Sequence, residues 1–136
     1  MPESKNRTLT KKRRIKMIVE KTETGFSAYS DKHSIFTTGK NVPEITKNAF
    51  EAAQLYYEEY DIHLSHSDIE FTLDFQQFFK YYKVINAKFL AERIGLNPAL
   101  LSQYVQGHKQ PSKKQTDKIL NGIHEIGEEL AGINLF

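Results

Sequence analysis

Residues 86–112 read NAKFLAERIGLNPALLSQYVQGHKQPS, and this stretch decides how the second half of the chain folds. Apolar residues recur every three or four positions on both sides of Gly95, which predicts two short helices joined by a tight turn. Gly95 supplies the positive φ that such a turn needs. Asn97 followed by Pro98 is typical of a helix start, and Gly107 is typical of a helix end. The spacing therefore predicts a helix-turn-helix.

The positions that would hold the two helices together are small or apolar. Ala91 is small where the helices cross, and the inward positions are Leu90, Ile94, Leu96, Leu101 and Tyr104. The stretch resembles the Xre/Cro-type helix-turn-helix of repressors, including a Gly-Lys-x-Pro-Ser tail at Gly107, Lys109, Pro111 and Ser112, with His108 inserted. A plain helical hairpin with a chance glycine is the alternative interpretation.

The repressor resemblance implies that the second helix enters the major groove of double-stranded DNA. Its outward residues would then be Pro98, Ala99, Ser102, Gln103 and Gln106. Gln103 is the best candidate for a specific contact, because glutamine can pair bidentately with adenine, and Ala99 offers a methyl group to thymine. The candidates for phosphate contacts are Asn86, Lys88, Lys109 and, less directly, Lys113. For each lysine, a solvated surface charge is the alternative.

The charges of the chain separate into blocks although the net charge is only +2. Residues 23–75 carry three Lys and Arg against ten acids, a net −7. Residues 76–118 carry eight Lys and Arg against two acids, a net +6, and residues 1–22 carry the same excess. An acidic module followed by a basic one predicts two modules with different partners, of which the basic one is the candidate for nucleic acid.

At residue 74 the spacing of the hydrophobic residues changes from every second position, typical of a strand, to a period of 3.6, typical of a helix. Four strands are expected, near residues 15–20, 26–30, 34–38 and 69–73, with a helix at about 43–60 that has apolar positions Ile45, Ala49, Ala52, Ala53 and Tyr56. Residues 61–68 form a polar loop. The predicted class is α+β: a small β-β-β-α-β domain at 13–74, followed by an all-α helix-turn-helix domain at 75–136 that is similar to the λ repressor. Residues 1–11 are polar and aperiodic, which predicts a disordered arm.

The first module resembles the HicB antitoxin family. The resemblance rests on GFSAYSD at 25–31, FTTG at 36–39 and a helix with Ala49, Ala52 and Ala53. Members join a partial ribonuclease-H-like domain to a DNA-binding domain. The resemblance implies an antitoxin of a type II toxin–antitoxin system. Its N-terminal domain would neutralise a small basic HicA-like toxin that cleaves mRNA, and its C-terminal domain would bind its own promoter and repress the operon.

The sequence leaves two other functions as alternatives. One is a solitary transcriptional regulator whose N-terminal domain serves oligomerisation or ligand sensing. The other is an enzyme, which is disfavoured because strand one offers only Glu20 where a nuclease needs several converging carboxylates. His63 and His66 beside Asp61 and Asp68 are a weak metal candidate against a solvated loop. No catalytic residue, metal or cofactor is therefore predicted.

The C-terminal stretch carries an apolar stripe with heptad-like spacing, formed by Ile119, Ile123, Ile126, Leu130 and Ile133. It either packs on its own domain or forms a self-association seam, as a homodimer or tetramer would require. The 136 residues contain no cysteine and no apolar run of membrane-spanning length. The sequence therefore predicts a cytoplasmic protein with no disulfide and no membrane partner.

Overall fold

A computed structural model describes residues 14–135, and the arm predicted at residues 1–11 lies outside this range. The chain divides into two compact units, one up to Asp74 and one from Phe75 onward. The described residues hold a four-stranded sheet and five α-helices, which confirms the α+β class. None of the helices in this part of the chain is long and apolar enough to cross a bilayer.

The first unit is a mixed sheet with one helix. Its elements are β1 (Ile15–Lys21), β2 (Phe26–Ser30), β3 (Phe36–Gly39), α1 (Val42–Glu58), a 3-10 turn (His66–Asp68) and β4 (Ile69–Leu73). The strand order is β3-β2-β1-β4, with β2 antiparallel to β1 and β3, and β4 parallel to β1. The register places Met17 beside Phe71, and Val19 between Ala28 and Leu73. These side chains share one face of the sheet because residues two apart on a strand point the same way.

The helix α1 contributes a stripe with a spacing of four residues to this core: Ile45, Ala49, Ala53 and Tyr57. The sequence placed Tyr56 in the stripe, and Tyr56 does pack against this core, but the fully buried row continues from Ala53 by four residues to Tyr57. Tyr56 is only half-buried, and its hydroxyl lies 3.3 Å from Nδ1 of His33. The predicted cap is confirmed, since Oδ1 of Asn41 accepts a hydrogen bond from the Glu44 amide at 2.9 Å.

The outer edge of β3 is partly covered by a side chain. The amide of Ser30 donates to the carbonyl of Ile35 at 3.0 Å, so the alternation of an antiparallel pair turns the backbone of Thr38 away from β2. The Thr38 carbonyl instead accepts a hydrogen bond from Nδ2 of Asn48, on α1, at 2.8 Å. The helix thus occupies a backbone acceptor that would otherwise be free.

The second unit is helical, as the change of period predicts. It contains α2 (Phe75–Tyr81), α3 (Ala87–Ile94), α4 (Pro98–Val105) and α5 (Lys113–Ala131). Its buried apolar residues come from all four helices and the turn between α3 and α4: Phe75, Phe79, Leu90, Ala91, Leu96, Leu101, Tyr104 and Ile119. Ile94, another of the predicted inward positions, faces Gly122 of α5 and is half-buried.

The apolar stripe of α5 serves its own domain over only part of its length. Ile119 is fully buried, and Gly122 is buried where α5 passes α3, so the first half of the stripe belongs to the domain core. Leu130 and Ile133 are 62% and 67% exposed. Packing on its own domain therefore describes the first half of the stripe. The second half is left exposed by the described residues of its unit and is available for self-association.

Two glycines of α5 provide a matched test of this packing. A Cβ at Gly122 would collide with Cγ2 of Ile94, whereas a Cβ at Gly127 would meet no atom within 4 Å. We expect Gly127→Ala to raise the free energy of unfolding by about 1 kcal/mol, because alanine is the better helix former. Gly122→Ala should lower it, because Ile94 must shift. Urea unfolding of the full chain measures both, and equal gains would contradict the packing of α5 on α3.

Candidate nucleic-acid interface

The turn between α3 and α4 is fixed by its backbone. Gly95 lies at φ 72° and ψ 30°, in the left-handed region, as its place in the sequence predicts. The amide of Leu96 then donates to the carbonyl of Ala91 at 2.9 Å, which satisfies one of the carbonyls that the end of α3 leaves open. Oδ1 of Asn97 accepts a hydrogen bond from the amide of Ala99 at 2.8 Å, so α4 begins at a defined residue.

The helix α4 has one buried face and one exposed polar face. Leu101 and Tyr104 are buried. The candidate contact residues are spaced three or four apart and so share the other side of the helix: Ala99, Ser102, Gln103 and Gln106. All are exposed except Ser102, which is half-buried, and Pro98 at the first helical position is exposed as well. The structure thus brings together the predicted base-contacting residues on one short helix.

Two of these side chains are joined by a hydrogen bond. Nε2 of Gln106 donates to Oγ of Ser102 at 3.1 Å, which leaves the hydroxyl proton of Ser102 for another acceptor. In residues 14–135 no hydrogen bond holds the side-chain amide of Gln103, which is exposed. Gln103 can therefore present its donor and its acceptor together to an adenine.

The predicted phosphate contacts occupy both ends of this motif. Asn86 caps α3, with its Oδ1 accepting from the Phe89 amide at 3.1 Å, so its Nδ2 group is the part that can donate to a phosphate. Lys88 is exposed in the first turn of α3, and Lys109 is exposed beyond α4. Lys113 pairs with Asp117 at 3.0 Å, which makes it the weaker candidate.

All eight Lys and Arg residues of the second unit are exposed. Arg93 forms an ion pair with Glu129 between α3 and α5. Lys114 and Lys118 on α5 are exposed cations that the sequence did not single out, although the run of lysines from residue 113 is the signal that could have found them. The unit therefore presents an excess of positive charge to solvent.

The first unit presents the opposite charge. Its exposed carboxylates are Glu23, Asp31, Glu51, Glu58, Glu59 and Asp61. On α1 three of these surround Leu55, which is 69% exposed. On the sheet, burial and then the nearby carboxylate of Glu20 raise the pKa of Tyr29 above its ordinary value. The acidic surface and its exposed leucine are the candidate protein-binding features of this unit.

The loop at residues 61–68, the weak metal candidate, has side chains that contact the protein core. Asp68 is buried, and its Oδ2 accepts a hydrogen bond from the Ser65 amide at 2.9 Å. The ring of His66 stacks on Phe50 with centroids 4.1 Å apart, and Leu64 is buried, so the loop is anchored to the core. In the part of the chain that the structure describes, no three His, Asp or Glu side chains come together as metal ligands.

Comparison with known proteins gives no assignment. No family model matches the chain, and no curated protein or solved structure matches it. What the chain binds is therefore inferred from its own residues: a short polar helix face on a basic unit, and an acidic surface on a separate unit.

The left-handed turn can be tested apart from any ligand. A Cβ at Gly95 would meet no atom within 4 Å, so a substitution there is penalised by backbone conformation alone. We expect Gly95→Ala to lower the free energy of unfolding by about 1–2 kcal/mol, because an L-residue is strained in this region. Gly95→Asn should lower it less, since asparagine tolerates left-handed backbone. Equal losses in thermal unfolding would point to a steric cause instead.

Proposed function

We propose that the protein is an antitoxin of a type II toxin–antitoxin system, of the HicB kind, that also represses its own operon. The second unit binds promoter DNA through α4. The first unit, a partial ribonuclease-H-like domain, binds a small basic HicA-like toxin, and neither unit is an enzyme. The protein would act in the cytoplasm. The observation that carries the DNA-binding part is the exposed polar face of α4. The turn at Gly95 and the cap at Asn97 fix where this helix begins.

Base recognition is supported by the chemistry of that face. Gln103 is suited to adenine, the Ser102 hydroxyl can donate to a base acceptor, and the methyl group of Ala99 can contact thymine. These groups lie within about two turns of one helix, which is the length that a major groove accommodates in repressors of this type. The lysines around the motif supply the part of the affinity that does not depend on sequence.

The base contact and the phosphate contact should respond differently to substitution. We expect Gln103→Ala to weaken binding to the DNA upstream of its own gene by about 1–3 kcal/mol and to relax specificity at one base pair. Lys88→Ala should weaken binding to every duplex alike, because it removes one phosphate contact. The slope of the logarithm of the binding constant against the logarithm of the salt concentration should become shallower by about one.

Fluorescence anisotropy on the promoter duplex and on a scrambled duplex of equal length, at several salt concentrations, separates the two effects. Gln110→Ala, exposed but outside α4, is the matched control. A Gln103→Ala variant that loses the same affinity on both duplexes would show that Gln103 does not read a base.

Toxin binding is supported by charge and by the HicB resemblance of the first unit. The block from residue 23 to 75 carries a net −7, and six of its carboxylates are exposed. Complementary charge speeds the encounter of two proteins and selects among partners. Leu55, which is exposed near Glu51, Glu58 and Glu59, supplies apolar surface that a partner can bury.

Affinity purification of the tagged full chain from its native cell tests the partner directly. We expect a small basic protein at near-equal stoichiometry, and expect Glu58→Lys/Glu59→Lys to lose it. The control is Glu125→Lys/Glu128→Lys, the same change on exposed residues of the second unit, which should keep the partner. If only DNA is recovered, the chain is a solitary regulator whose first unit serves oligomerisation or ligand sensing.

Self-association follows from the DNA-binding proposal. Proteins with this motif read two half-sites as dimers, so each chain needs a surface for a second copy. The uncovered half of the α5 stripe, with Leu130 and Ile133, offers such a surface.

A further inference from the structure

The strand β4 lies at one end of the sheet among the described residues. The amide of Asp74 donates to the carbonyl of Val19 on β1 at 2.9 Å. Since backbone groups alternate between the two edges of a strand, the amides and carbonyls of Ile69, Phe71 and Leu73 point away from β1. The amide of Ile69 already donates to the carbonyl of His66, at the end of the 3-10 turn. The edge therefore offers the carbonyl of Ile69 and both backbone groups of Phe71 and Leu73 for pairing with another strand.

The same edge opens onto an apolar groove. The groove has a volume of about 440 Å³ and runs between α1 and β4. Its floor is formed by Ile69 and Phe71, and Phe50 of α1 forms a wall against which His66 stacks. Free backbone groups beside an apolar groove are the two features that strand addition uses: the backbone gives affinity and the groove takes alternate side chains.

We propose that the β4 edge pairs with the β4 edge of a second copy of the chain, antiparallel and about a two-fold axis at Phe71. An axis at any residue of β4 pairs outward-facing positions with each other, whereas an axis between two residues does not, and the axis at Phe71 gives the longest overlap. Phe71 then faces Phe71 of the second copy, and Ile69 faces its Leu73. The two four-stranded sheets become one, and the two grooves merge into a shared core.

The charges along this edge fit a second copy. On the face away from α1, Glu70 stands opposite Thr72 of the second copy rather than opposite its Glu70, so no like charges meet. On the α1 face, Lys47 and Glu51 lie one helical turn apart and both line the groove. A two-fold axis directs each Lys47 toward Glu51 of the second copy. The surface is thus complementary to itself, as an isologous interface must be.

This contact does not depend on the proposed antitoxin function, because it uses neither α4 nor the lysines of the second unit, and it shares only Glu51 with the surface proposed for the toxin. It is also separate from the α5 stripe. One of the two contacts alone gives a dimer, and both together link more than two chains. The alternative is that the edge binds a strand from a different protein. In that case the purified chain alone would show no pairing at β4.

The absence of cysteine makes disulfide trapping a clean experiment. Glu70→Cys and Thr72→Cys are prepared as single variants of the full chain, co-refolded as a mixture and oxidised mildly. Position 70 of one chain then stands opposite position 72 of the other at about 4.5 Å between Cα atoms, which a disulfide spans. We expect a covalent dimer from the mixture, measured on a non-reducing gel and by intact mass.

Each single variant is the control for the mixture. Identical positions are offset by two residues along the strands, about 7–8 Å apart, which exceeds the usual reach of a disulfide. Each variant alone should therefore give little covalent dimer, although it carries the same thiol at the same exposure. Both substitutions leave the apolar groove intact, and circular dichroism checks that the chains are folded.

Equal crosslinking in the mixture and in the single variants would overturn the proposed register. A mixture that forms no covalent dimer would overturn the β4 contact itself, whether light scattering shows a monomer or a dimer held by α5. Promoter binding by the same proteins is measured separately, so failure of the β4 contact and failure of the proposed function remain distinguishable.

Discussion

The left-handed backbone at Gly95 is the constraint on which the second unit depends. It turns the chain so that the Leu96 amide donates to the Ala91 carbonyl and the Asn97 side chain accepts a hydrogen bond from the Ala99 amide of α4. The direction of α4 and the identity of its exposed face follow from these few bonds. Because only glycine adopts this conformation without strain, one residue fixes which four side chains of α4 can meet a ligand.

The two units divide opposite charges between them, and this division gives each a different kind of partner in the proposed function. Positive charge on the second unit attracts any polyanion, and the uncharged face of α4 adds discrimination among sequences. On the first unit, negative charge surrounds an exposed leucine, so attraction and anchoring coincide on α1. Neither property depends on the other, so in the proposed function each partner has a surface of its own.

Local signals predicted most of the elements, and long-range packing decided the rest. The caps at Asn41 and Asn97 and the turn at Gly95 were readable because each depends on residues within one helical turn. The burial of Tyr57, rather than Tyr56, could not be predicted in this way, because it depends on where α1 sits on the sheet. The burial of Asp68 in a loop predicted as solvated has the same cause: it satisfies an amide that the loop brings inside. The groove beside β4 has no local signature, since it arises between elements distant in sequence.

The two edges of the sheet differ in one respect that matters when many chains are present. At β3 the amide of Asn48 already holds the carbonyl of Thr38, and the strand is only four residues long. A sheet that is open at both edges can add copies without end and grow into fibres. In the proposed pairing a second copy adds at β4. Asn48 makes further addition at β3 less favourable, and it does so from the helix rather than from the strand it protects.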